Sequence, residues 1–278
     1  MFDSTRQAAE RIRDQLQGSY LWEVSGKRAL QDPLSYRTAA YVLGTADETL
    51  RRLKALLEIQ INSSDDNPAV IAGASLPANA PGQVARYYVK SGAIGGAVIP
   101  TANFEPLPWV LQLQSLGIAL SHASRASAQR TIRLATPEFT QLSRFLAPDA
   151  ETIGYAAIQK VFVALDAENR ELSNPVSDDS LPVAGDIEDT ATEAAQAAGR
   201  VIKMVDNLYY ILGIELMHAA QAIDLRQRDG ALKLGSGTKA LFGAFRRAVP
   251  FLARDRILTP DISTSHEFLR KQSRTGLP

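Results

Sequence analysis

From residue 194 the chain runs Ala194-Ala195-Gln196-Ala197-Ala198-Gly199-Arg200-Val201-Ile202-Lys203-Met204-Val205-Asp206-Asn207-Leu208-Tyr209-Tyr210-Ile211-Leu212-Gly213-Ile214-Glu215-Leu216, and this stretch decides the fold. Ala194, Ala198, Val201, Val205, Leu208, Leu212 and Leu216 recur at spacings of three and four, which is one stripe of a helix. No proline interrupts the run from Glu188 to Arg226, so a single helix is predicted over nearly forty residues. The usual helix has three or four turns. A helix this long buries its stripe only against partners of similar length, which predicts a bundle.

Two other segments have the required length. From Tyr36 to Ile61, Ala39, Val42, Leu43, Ala46, Leu50, Leu53, Leu57 and Ile61 form a stripe, and Asp47, Glu48, Arg51, Arg52, Lys54 and Glu58 occupy the opposite face. From Trp109 to Arg133 the stripe is Trp109, Leu113, Leu116, Leu120 and Ala123, with Pro108 placed where a helix begins. Shorter helices are predicted over Ser4 to Leu16, Gly154 to Leu172 and Lys239 to Leu252. Breaker-rich loops separate them at residues 62–68, 173–175 and 181–186, and the glycine-flanked apolar residues between 83 and 100 read as a small hairpin. The fold class is therefore mainly α, a long-helix bundle forming one domain over residues 1–278.

Composition narrows the function. The 278 residues contain no cysteine, which excludes disulfides, thiolate metal sites and a cysteine nucleophile. Thirty Lys and Arg balance thirty Asp and Glu, which argues against a nucleic-acid partner. No apolar run reaches a membrane span and the first residues lack signal-peptide order, so a cytoplasmic location is expected. Only His122, His218 and His266 are present, none with another histidine at ligand spacing, so no metal site is expected.

The informative polar residues lie at helix entrances. Gln31-Asp32-Pro33-Leu34-Ser35-Tyr36-Arg37 precedes one long helix, and Gly185-Asp186-Ile187-Glu188-Asp189-Thr190 precedes the longest. Helix capping explains Asp32, Ser35, Asp186 and Asp189. It does not explain Arg37, a cation placed in a first turn, and this mismatch points to an anionic partner such as a carboxylate.

At these residues the chain resembles the histidine and phenylalanine ammonia-lyases, the aromatic amino acid lyase family. Residues 31–37 are similar to that family's Gln-Asp-Pro-Tyr-Ser-Leu-Arg signature. The likeness continues through Leu57-Glu58-Ile59-Gln60-Ile61-Asn62-Ser63-Ser64-Asp65-Asp66-Asn67-Pro68, Ala102-Asn103-Phe104-Glu105, Gln141-Leu142-Ser143-Arg144-Phe145-Leu146, Ser177-Asp178-Asp179-Ser180-Leu181-Pro182 and Glu188-Asp189. Six motifs in one order are far more specific than any one of them. The resemblance implies a helical bundle of the fumarase/aspartase-like type, a tetramer-like core with sites built from several subunits, and elimination of ammonia from an amino acid or the related 2,3-aminomutase reaction. It further implies an electrophile, methylidene-imidazolone, formed from an internal Ala-Ser-Gly.

Residue by residue, the resemblance makes Arg37 the carboxylate contact, Gln31 a glutamine beside electrophile and substrate, Phe104 an aromatic beside the electrophile, and Glu188 an active-site acid. Tyr36, a tyrosine two places beyond the position of the signature's own, joins the substrate-binding candidates. Each has a structural alternative: core packing for Phe104, a helix-start acid for Glu188, a loop hydrogen bond for Gln31. Leu34 stands where the family has tyrosine, and positions two apart do not share a helical face, so Tyr36 does not replace that hydroxyl. Ile187 and Thr190 stand where glutamine and the histidine of histidine ammonia-lyases are usual. No Ala-Ser-Gly occurs in the 278 residues. The expectation is therefore one subunit of a split lyase, equivalent to a C-terminal half, whose N-terminal-half partner polypeptide supplies the electrophile within a hetero-oligomer. The alternative is a catalytically degenerate scaffold or regulatory subunit.

Overall fold

The computed structural model describes residues 2–23, 31–176, 181–228 and 230–275. In chain order the elements are α1 (Asp3–Gln15), α2 (Leu34–Arg37), α3 (Ala39–Ile61), β1 (Ala69–Ala72), α4 (Gly82–Ala85), β2 (Tyr88–Ser91), β3 (Ile94–Ile99), α5 (Leu107–Leu134), α6 (Pro137–Thr140), α7 (Gln159–Leu172), α8 (Ala194–Gln227), α9 (Ser236–Ala248) and α10 (Thr259–Thr275). The mainly helical class and the small hairpin are as expected. At a rise of 1.5 Å per residue, α8 is about 50 Å long.

Helix α7 starts at Gln159 rather than Gly154 and α9 runs Ser236–Ala248 rather than Lys239–Leu252, and two larger differences have identifiable reasons. The helix expected from Tyr36 is two helices, because Thr38 stops α2: its hydroxyl and its amide both bond to Leu34 O, at 2.6 and 2.8 Å. A threonine hydroxyl competing for a backbone carbonyl weakens helix propagation. The longest helix starts at Ala194 rather than near Glu188. Val183 and Glu188 exchange two backbone hydrogen bonds, of 3.0 and 3.3 Å, around a turn in which Ala184, Gly185 and Asp186 have positive φ. Asp186 therefore lies in that turn and Asp189 follows it, so neither caps α8, which has no acid in its first turn. Helix α10, which the prediction omits, carries residues 259–275.

The chain divides into two compact units, residues 1–50, 113–176 and 195–278 in one and 51–112 and 177–194 in the other. The first unit has its core around α8. Met204, Ile211, Ile214 and Met217 are completely buried, and the main cluster joins the last three to Leu146, Tyr155, Phe162, Phe245 and Leu252. The stripe read from the sequence is only half right in orientation, since Val201 and Leu208 are buried while Val205 and Leu212 are exposed. Close helix contacts use glycine. A Cβ on Gly44 of α3 would lie 2.7 Å from the backbone of Ser4 and Thr5 in α1, and one on Gly213 of α8 would lie 3.0 Å from Ser265 Cβ in α10.

The second unit is built on a three-stranded antiparallel sheet, order β1-β3-β2, with Ala69 opposite Ile99 and Tyr88 opposite Ala97. The predicted hairpin is its β2–β3 pair, and β1 adds the far edge. No described helix is long and apolar enough to cross a membrane.

Candidate functional site

In the first unit the site begins on α2. Arg37 is the last residue of this single turn, so its charge sits at the negative end of the peptide dipoles, and the expected first-turn conflict does not exist. Its Nη1 donates to Gln31 Oε1 at 2.5 Å, so its hydrogen-bond partner among the described residues is a neutral amide. Both side chains are exposed, as is Leu34 at 64%. The guanidinium keeps donors for a planar acceptor such as a carboxylate.

Tyr36 turns the other way. Its hydroxyl donates to Arg130 O at 3.2 Å and its ring stacks on Phe139 with centroids 5.3 Å apart. Burial first, and then the Glu215 carboxylate, push its phenol above the ordinary tyrosine range, so it is a donor at neutral pH. Leu34 outward and Tyr36 inward is the geometry that a spacing of two predicts.

Arg130 of α5 supports this turn. Its Nε and Nη2 donate to the two oxygens of Glu215 on α8, at 2.5 and 2.9 Å, while Nη1 donates to Ser35 O at 3.2 Å. The Ser127 hydroxyl also donates to Glu215, at 2.5 Å. Burial disfavours the Arg130 charge, but the hydrogen bond and charge of Glu215 outweigh it and raise the guanidinium's pKa. Sequence reasoning missed both residues, because each reads as one more helix-surface charge. The signal available was that Ser127, Arg130 and Thr131 share a face of α5 that is polar where a core face should be apolar.

Also in the first unit, Gln141, Phe145 and Leu146 of the fourth motif all have positive φ. Leu146 is fully buried, and its carbonyl accepts from Gln221 Nε2 at 3.4 Å. In the second unit, Gln60 of the second motif donates to Asn103 O of the third, at 2.9 Å, and Thr101 bonds to Asn67 Oδ1 and Asp66 O. These bonds hold the loop that displays Phe104, which is half exposed. Glu188 is exposed beside the Val183 bridge. The Ser177-Asp178-Asp179-Ser180 part of the fifth motif lies outside the described residues. Among the described residues no group of three or more acids and histidines could hold a metal ion.

A helix bundle with such motifs on its loops is the architecture of the ammonia-lyases and aminomutases. The chain superimposes on the ergothioneine-degrading enzyme ergothionase of Treponema denticola with a TM-score of 0.84 and 38% identity, over 98% of this chain and 50% of that one. The corresponding values for histidine ammonia-lyase of Trypanosoma cruzi are 0.79 and 25% (98% and 46% covered), and for tyrosine aminomutase of Streptomyces globisporus 0.79 and 26% (98% and 52%). In sequence, the histidine ammonia-lyase of Geobacillus thermodenitrificans is 32% identical over 96% of this chain and 48% of its own length. The model of the aromatic amino acid lyase family matches residues 1–247, and the chain belongs to that family. It spans about half the length of the relatives it matches.

Proposed function

We propose that Arg37 and Gln31 form the carboxylate-binding part of an amino-acid lyase or 2,3-aminomutase, and that a separate N-terminal-half polypeptide carrying Ala-Ser-Gly completes the site. The observation that carries this reading is the exposed Arg37 guanidinium, oriented by Gln31 on a supported turn, in a chain of the aromatic amino acid lyase family.

The donor set fits half of the family's apparatus. No Ala-Ser-Gly lies in this sequence, so the methylidene-imidazolone is not made from its residues, and in the first unit Gln31 is the residue that would stand beside it. When bound, the group supplies an electrophile that makes the substrate amine a better leaving group. Arg37 holds the substrate carboxylate with two parallel N–H bonds and fixes which face of the amino acid is presented. Gln31 Oε1 restrains that guanidinium. Phe104 offers an aromatic surface, and Glu188 is the acid available to hold a proton.

The test is co-expression with an Ala-Ser-Gly-bearing lyase half, followed by assay of ammonia release from L-histidine, L-phenylalanine and L-tyrosine. Ergothioneine joins the panel because a structural relative at 38% identity is described as degrading it. Co-purification and activity in the assembly alone are expected. A chain that stays monomeric beside that half, with no turnover, defeats the proposal.

A second reading is favoured by Leu34, which exposes an aliphatic side chain where the family signature has a tyrosine. In that reading the chain is a scaffold or regulatory subunit. An assembly that forms, remains inactive and stays inactive after Leu34→Tyr supports it.

A further inference from the structure

Arg37 stands on a helix of four residues, and one turn of helix does not sustain itself, because fixing its dihedrals costs more than its few bonds return. The turn is therefore held from outside. We propose that Arg130, clamped by Glu215, is the positioning residue that sets the direction of Arg37, with Tyr36 closing the same brace. This inference rests on the reading of Arg37 as the carboxylate contact.

The brace can be followed bond by bond. Glu215 takes two guanidinium nitrogens of Arg130 in a bidentate pair, and Ser127 fixes one of the same carboxylate oxygens. Both side chains of the pair are less than one-fifth exposed, so water competes for them weakly. Two nitrogens are thus committed to α8, and the third, Nη1, reaches Ser35 O. The carbonyl of the same Arg130 receives the Tyr36 hydroxyl, and Phe139 backs the Tyr36 ring. One residue of α5 therefore grips α2 at two successive positions, Ser35 and Tyr36, immediately before Arg37. Leu34 and Arg37, on the remaining face, stay exposed. Lysine cannot make this connection, since it lacks a planar fork with three separately directed nitrogens. The burial that raises the Tyr36 pKa also keeps its proton on the oxygen, and hence keeps the second bond.

The experiment uses Glu215→Gln, which preserves shape but removes the charge, and Arg130→Lys. Hydrogen exchange is followed at the amides of Tyr36, Arg37 and Thr38, which bond to Pro33 O and Leu34 O. In the full chain, both variants are expected to exchange at least tenfold faster at these three amides, with the amides of α8 and α5 unchanged. In the active assembly, KM for the amino acid is expected to rise about tenfold while kcat changes less than threefold. Unchanged exchange at all three amides overturns the brace whatever the activity. Faster exchange throughout α5 and α8 also overturns it, since the pair would then be a general stabiliser. If local exchange accelerates but Arg37→Ala leaves turnover unaffected, the carboxylate reading fails and the brace stands.

Discussion

The ring of Tyr155 lies over the imidazole of His218, with centroids 4.7 Å apart and planes at 42°, inside the core of the first unit. His218 is completely buried. Its Nδ1 donates to Ile214 O one turn earlier, at 2.8 Å, and Nε2 has no hydrogen-bond partner among the described residues. The carbonyl only accepts, so the proton belongs on Nδ1 and the buried Nε2 is a bare lone pair.

Burial holds the His218 pKa down at about 4, against which the Ile214 hydrogen bond acts weakly. The unfolded chain, with an ordinary histidine near 6.5, binds the extra proton first. The stabilising effect of the neutral ring is therefore complete above about pH 6.5 and is lost as the pH falls toward 4, a change of roughly 3 kcal/mol from this one group. Urea unfolding at several pH values checks this. His218→Phe is expected to flatten the dependence between pH 6.5 and 4, and an unchanged slope removes His218 as its source.

Gly154 has φ +59°, and a Cβ there would lie 2.5 Å from Phe145 O and 2.8 Å from Ala147 N. The Tyr155 amide bonds to that same Phe145 carbonyl at 2.9 Å, so the crowding falls on a bond that seats Tyr155 in the core. Gly154→Ala is expected to cost about 1–2 kcal/mol from the left-handed backbone alone, and more from the contact. A fall in the urea midpoint with unchanged m-value would show it.

The long helices were legible because their stripes persist over many turns, and the first signature was legible because its residues are adjacent. Helix α10 was not, since Thr259–Thr275 is mostly polar: Ile262 and Phe268 join the main core, but the contacts between them are Ser265 on Gly213 and the His266 ring stacked 4.0 Å from Tyr210, which break the apolar period. Strand β1, Ala69-Val70-Ile71-Ala72, is uniformly apolar and short, so it shows no alternation. The start of α8 was misplaced because a turn bridged by Val183 and Glu188 leaves no helical or strand period in the sequence. At the site, Gln31 and Arg37 were readable together, whereas Arg130 and Glu215, 85 residues apart, become a pair only when α5 and α8 are packed.

Gln221 is fully buried and ties two segments together with its amide. It donates to Leu252 O at 3.1 Å and to Leu146 O at 3.4 Å, and accepts from Leu252 N at 3.1 Å. Gln221→Leu would match the volume but strand a buried N–H and two carbonyls. The expected loss is about 2–4 kcal/mol, because each unsatisfied buried group costs roughly 1–3 kcal/mol. Thermal unfolding checks it, and a loss below about 1 kcal/mol would mean that water reaches these groups.

Arg37→Ala separates stability from function. The side chain is exposed and, among the described residues, bonds to Gln31, so the variant's unfolding free energy is expected to stay within about 0.5 kcal/mol of wild type. In the proposed assembly, loss of a guanidinium paired with a covered carboxylate is expected to cost about 2–5 kcal/mol in kcat/KM, a factor of about 30 or more. Arg37→Lys keeps the charge but loses the fork, so it should fall between the two, with the loss in KM rather than kcat. If the alanine variant turns over amino acids as wild type does, Arg37 does not hold the substrate, and the supported turn beneath it serves the architecture alone.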